Sequence, residues 1–146
     1  MYGKFYIFRT QIMSDTASRT LLIVDDHEIN RRLASLFLQP LGWRAVMAVD
    51  GAQALDLASV ERFEVILMDM VMPGLDGLQT TALLRQSDGP NKDTPVIAVT
   101  GMDDHRAQWR SLGVTQVVLK PFDPDQLIAA VAEATRPQSS GYRISA

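Results

Sequence analysis

Val65-Ile66-Leu67-Met68-Asp69 is a run of four apolar residues closed by a carboxylate. No polar residue alternates with the apolar ones, so the run reads as a strand buried on both faces, as in parallel sheets. Towards the N-terminus, Leu21-Leu22-Ile23-Val24 repeats the pattern and ends in Asp25-Asp26. Towards the C-terminus, Pro95 to Val99 ends at Thr100, and Val114 to Leu119 ends at Lys120. Trp43 to Val49 reads as a further strand.

The segments between these strands carry helical spacing. Residues 28–39 place Ile29, Leu33, Leu36 and Phe37 at that spacing, and Pro40 and Gly42 close the helix. After the turn at Asp50-Gly51, Ala54, Leu55 and Ala58 share one face of a helix over 52–59. A helix near 76–87 carries Leu78, Ala82 and Leu83, and Gly89-Pro90-Asn91 is a loop. A short helix spans 103–112 with Gly113 as its cap, and the last helix runs from Asp123, a suitable N-cap, to Thr135. Five strand–helix units with right-handed crossovers give a doubly wound α/β sandwich.

The expected organisation is an N-terminal extension over 1–19, one domain over 20–136 and a polar tail over 137–146. With 146 residues, 47% of them hydrophobic, the chain suits a single core. It has no cysteine, which excludes disulfides and thiolate metal sites. A formal net charge of −3 gives no broad attraction to nucleic acid. No stretch is long and apolar enough for a membrane span, and the first dozen residues lack the pattern of a secretory signal. The expected location is therefore the cytoplasm, with no direct binding to nucleic acid or membrane.

In a doubly wound sheet the ligand site lies at the carboxyl ends of the strands. Asp25, Asp26, Asp69, Thr100 and Lys120 all follow strands and fall at that edge. Taken singly, an aspartate there is a turn or cap residue, and a lysine is a solvated surface group. Together, from four strands, they form a constellation. Clustered carboxylates need a cation. A small set of hard oxygen ligands suits Mg²⁺, with Asp26 and Asp69 binding directly and Asp25 through water. A carboxylate can also attack phosphorus and form an aspartyl phosphate, with Lys120 and the metal neutralising charge and Thr100 donating to a phosphoryl oxygen.

Val24-Asp25-Asp26, Met68-Asp69, Met72-Pro73-Gly74-Leu75-Asp76-Gly77, Thr100 and Lys120-Pro121-Phe122 resemble the motif set of response-regulator receiver domains. The resemblance covers about residues 20–136. It implies a flavodoxin-like fold, a five-stranded parallel sheet in the order 2-1-3-4-5 with helices on both faces. It implies Asp69 as phosphoacceptor, Asp25 and Asp26 as the acidic pocket, Thr100 as the switch hydroxyl and Lys120 as the phosphoryl contact. It also implies Pro121 after a cis peptide bond, and the backbone carbonyl of Val71 as the third protein ligand of Mg²⁺. The implied donor is a sensor histidine kinase or a phosphotransfer protein, and the output is a changed affinity for a downstream protein. Such a chain is no conventional enzyme, yet it catalyses its own Mg²⁺-dependent phosphorylation and a slow dephosphorylation. A homodimer through the last helix and strands stays open.

The chain departs from the family in places. Val117 stands where many receivers carry Tyr or Phe, three residues before the lysine, and the segment between Thr100 and Lys120 is short. Apolar Val71 and Met102 flank the acceptor, which points to a long-lived aspartyl phosphate. Trp109 reads as core beside Leu112, with an exposed partner anchor as the alternative. His27 reads as a loop or helix-start residue, with a phosphohistidine as the alternative. Ile29-Asn30-Arg31-Arg32 and Leu38-Gln39-Pro40-Leu41-Gly42 look similar to receivers attached to hybrid kinases, whereas the Met13 start favours a free-standing protein. The alternative function is a pseudo-receiver, an interaction module that works without phosphorylation.

Overall fold

The computed structural model describes residues 19–101 and 106–137. The strands are β1 (Thr20–Val24), β2 (Arg44–Ala48), β3 (Val65–Asp69), β4 (Val96–Thr100) and β5 (Val114–Leu119). The helices are α1 (Glu28–Leu38), α2 (Gly51–Val60), α3 (Gly77–Gln86), α4 (Arg106–Ser111) and α5 (Pro124–Ala134). All strand pairs are parallel, and the spatial order is β2-β1-β3-β4-β5, as expected. The apolar runs are the reason. Every residue of β1, β3 and β4 is buried, so only a sheet covered on both faces can hold them.

Alternate residues of those strands feed two cores. Leu22, Val24, Ile66, Met68, Val96 and Ala98 pack with Ala54 and Ala58 of α2, Leu84 of α3 and Trp109 of α4. Leu21, Ile23, Leu67, Ile97 and Val99 pack with Ala34 and Leu38 of α1 and Leu127, Ala130 and Val131 of α5. Trp109 is 4% exposed, which makes it a core residue and removes the exposed-anchor reading.

A register shift interrupts the β4–β5 ladder: Val96 pairs with Val114, but Ile97 pairs with Gln116. Such a bulge reverses the alternation of faces. Val114 and Val117, three residues apart, therefore both pack on the α2–α4 side, and Val118 on the other.

The face of α1 differs from its sequence pattern. Ile29 and Leu36 are 72% and 61% exposed, while Ala34, Ser35 and Leu38 are buried. Small Ala34 and Ser35 let the helix approach the sheet closely, which turns the larger pair outward. The helix ends as expected, in a short 3-10 turn over Gln39–Leu41 with Gly42 at φ 91°.

Three of the other helices start on an aspartate cap, of which Asp123 was expected. The Asp50 carboxylate accepts from Gln53 N at the start of α2. Asp76 and Gln79 form a reciprocal capping box at α3. Asp123 accepts from Asp125 N at α5. Arg85, near the end of α3, donates to the carbonyls of Leu112 and Lys92 and so ties α3 to the turn before β5 and to the loop before β4.

Two glycines sit where a side chain has no room. A Cβ on Gly51 would lie 2.2 Å from Thr80 Oγ1, and one on Gly77 would lie 2.4 Å from the Asp69 carbonyl oxygen. The first packs the start of α2 against α3, and the second holds the start of α3 against the carboxyl end of β3. Among the described residues no helix is long and apolar enough to cross a membrane.

Candidate functional site

The carboxyl ends of β1, β3, β4 and β5 meet at one edge. Asp69 is the last residue of β3 and pairs in register with Val99, one residue before Thr100. Asp25 follows β1, and its backbone N–H donates to Ala48 O. Lys120 follows β5, and its backbone N–H donates to Thr100 O at 2.9 Å. The ladder that builds the sheet therefore also sets the spacing of the polar groups.

Asp25, Asp69 and Thr100 are buried, at 3%, 2% and 2% exposure. The Lys120 ammonium bridges the two carboxylates, 2.9 Å from Asp25 Oδ2 and 3.3 Å from Asp69 Oδ2. The peptide bond between Lys120 and Pro121 is cis, as the resemblance implies. Val71 N–H donates to Asp69 Oδ1 at 3.1 Å, and His27 N–H donates to Asp25 Oδ1 at 2.9 Å. Arg31 holds the backbone of the acidic pair by donating to Asp25 O at 2.8 Å. Asp26 Oδ1 is buried and accepts no hydrogen bond, although His27 Nδ1 lies 3.2 Å away. Ligand atoms of Asp25, Asp26, His27 and Asp69 all fall within 4.8 Å of one another.

The structure thus brings Asp25, Asp26, Asp69, Thr100 and Lys120 to one edge. The side chain of Val71 is 63% exposed beside Asp69. Met102 lies outside the described residues. His27 belongs at the pocket, and sequence reasoning gave it only a place at the helix start. Its adjacency to Asp26 was the available signal.

Burial pushes the Asp69 carboxyl up to about 6 from 3.8. The Val71 N–H opposes the shift, the Asp25 charge adds to it, and Lys120 opposes it. This has a testable consequence for stability. Between about pH 4 and 6 the folded carboxyl keeps a proton that the unfolded chain has released, so stability falls as pH rises through that window. Asp69→Asn removes the ionisation. In buffer free of divalent ions it is expected to be more stable than the parent by about 2 kcal/mol above about pH 7. The gain should vanish near pH 4, as read by urea denaturation at both values.

The site is thus a buried carboxylate with an acidic pair and a lysine, delivered by separate parallel strands. Residues 21–132 match the family described as the response regulator receiver domain. The chain is a response regulator receiver domain. The receiver is 39% identical over 105 residues to transcription factor prr1 of Schizosaccharomyces pombe, covering 70% of the chain and 19% of prr1. It is 34% identical to protein PilG of Pseudomonas aeruginosa, covering 76% of the chain and 83% of PilG. Several other relatives are also much longer: the receiver spans 17% of the sensor kinase CqsS and 12% of the sensor histidine kinase AruS. Among solved structures, it is 28% identical to the receiver domain of sensor histidine kinase PA1611 of P. aeruginosa, with a TM-score of 0.74. That match covers 83% of this chain and all of the other, whose active-site cleft holds a magnesium ion.

Proposed function

We propose that Asp69 accepts a phosphoryl group from a phosphohistidine, presented by a sensor histidine kinase or a phosphotransfer protein. The observation that carries this is the Asp69 carboxylate itself. It is nearly inaccessible except at the strand edge, 3.3 Å from the Lys120 ammonium and beside a second and a third carboxylate.

The residues fit Mg²⁺. Asp26 Oδ1 is a buried oxygen without a hydrogen-bond donor, and an all-oxygen carboxylate set suits a hard cation. Asp25, Asp26, Asp69 and the Val71 carbonyl would hold the ion. When bound, it would neutralise charge on the transferring phosphoryl group. Asp69 supplies the attacking oxygen. Lys120 can leave its bridge between Asp25 and Asp69 to pair with a phosphoryl oxygen. Thr100 ends the strand beside Asp69, where its hydroxyl can donate to another. A phosphoryl group adds about −1.5 to −2 charge, enough to redistribute these contacts. The change would pass along β4, β5 and α4 to a downstream protein. Val117 packs partly into the core there, so output here does not use an aromatic at that position. The proposed setting is cytoplasmic.

The test is intact mass after incubation with Mg²⁺ and a small-molecule phosphodonor. The parent is expected to gain one phosphoryl group, and Asp69→Ala, or the parent without Mg²⁺, to gain none. A folded parent that gains nothing from any donor would refute the acceptor reading and leave an interaction module.

A further inference from the structure

We propose that His27 is a metal-selectivity residue, its imidazole acting as a nitrogen donor that favours borderline ions such as Mn²⁺, Co²⁺ or Zn²⁺ over Mg²⁺. The inference rests on the reading of the pocket as a divalent-cation site.

The geometry is local and tightly held. His27 follows Asp26 directly, and its backbone N–H is fixed on Asp25 Oδ1 at 2.9 Å. The residue is extended, with φ −100° and ψ 120°, and it serves as the N-cap of α1 without using its side chain for capping. The ring turns towards the carboxylates instead. Nδ1 stands 3.2 Å from Asp26 Oδ1 and 3.5 Å from Asp25 Oδ1. Adjacent ligands of one ion, each at about 2.1 Å from it, stand about 3 Å apart, so these spacings are those of neighbouring donors. The Asp26 oxygen nearest the ring is the buried one that lacks a hydrogen bond.

The chemistry follows from donor type. Mg²⁺ prefers oxygen and gives up its waters reluctantly. It gains little when an imidazole stands at the rim of its site. Later divalent ions bind nitrogen more strongly, in the order Mn²⁺ < Co²⁺ < Ni²⁺, with Zn²⁺ also well matched to imidazole. For them, a ring nitrogen that displaces one water adds a bond. The ring is 69% exposed, so it lies at the mouth of the pocket and can close on an ion without disturbing the core. Competing thiolate and imidazole donors are few, since the chain has no cysteine and two histidines.

The test is calorimetric titration of the whole chain with Mg²⁺, Mn²⁺ and Co²⁺, for the parent, His27→Ala and His27→Gln. Both variants are expected to lose about tenfold in Co²⁺ affinity, a smaller factor for Mn²⁺, and less than about twofold for Mg²⁺. The visible absorption of bound Co²⁺ should shift in the variants, because its nitrogen donor is gone. Variants that keep the parent's ion preference and Co²⁺ spectrum would overturn the role of His27 and leave the cation pocket standing. Failure of the folded parent to bind any of the three ions would overturn both.

Discussion

Gly77→Ala is expected to destabilise the receiver by about 3 kcal/mol, at the upper end of overpacking effects. The new methyl group would lie 2.4 Å from the Asp69 carbonyl oxygen and 2.7 Å from Met70 Cα. Both are backbone atoms at the end of β3, so no rotamer change relieves the contact. Gly77 N–H also donates to Met70 O, which fixes the start of α3 against the same segment. Either the helix lifts away or the strand end moves, and the second displaces the Asp69 carboxylate. Phosphoryl gain from a small donor should then slow by tenfold or more, about what a misplacement of an ångström can cost. Gly89→Ala is the control. Its nearest neighbour would be Ser87 Oγ at 3.6 Å, and its effect is expected within about 0.5 kcal/mol. Urea midpoints and phosphorylation rates check both. Equal stabilities for the two variants would show that α3 can move outward at little cost.

Asn91→Ala should be comparably severe for a different reason. Asn91 is fully buried at the opposite edge of the sheet. Its Oδ1 accepts from Phe63 N–H at 2.8 Å and from Thr94 Oγ1 at 2.9 Å. Its Nδ2 donates to the carbonyls of Ala58 and Glu61 at 2.6 and 2.7 Å. The amide thus ties the end of α2 and the start of β3 to the loop before β4. Truncation leaves several buried polar groups unpaired, each costing about 1–3 kcal/mol unless water enters. A loss of about 3 kcal/mol, or roughly 10 °C in Tm, is expected by calorimetry. Phosphoryl acceptance at low temperature should be unchanged, because the pocket lies at the other end of the strands. A loss below about 1 kcal/mol would mean that water replaces the amide.

The sheet was legible because three of its strands, β1, β3 and β4, are runs without alternation, and only one fold class buries such runs on both sides. The acidic pair, Asp69, Thr100 and Lys120 were legible for the same reason, since each is the first polar residue after a strand. The face of α1 was not. Ile29 and Leu36 have the spacing of a buried stripe, but close packing favoured the small Ala34 and Ser35. Asn91 sits after Gly-Pro and reads as loop; its partners lie some 30 residues upstream, beyond any local pattern. The bulge in β5 was equally silent, because Val114 to Leu119 is apolar enough to fit either register.

Lys120 arrives late in the chain, and biosynthesis makes that order matter. A growing chain that has exposed only its first three strands already carries Asp25, Asp26 and Asp69, with no ammonium to bridge them. At that stage the three carboxylates repel one another and oppose their own assembly. The bridge forms only when β5 has emerged and docked on β4, and α5 follows immediately to cover the second core. A product truncated before β5 would therefore lack both the edge strand and the charge that bridges the pocket.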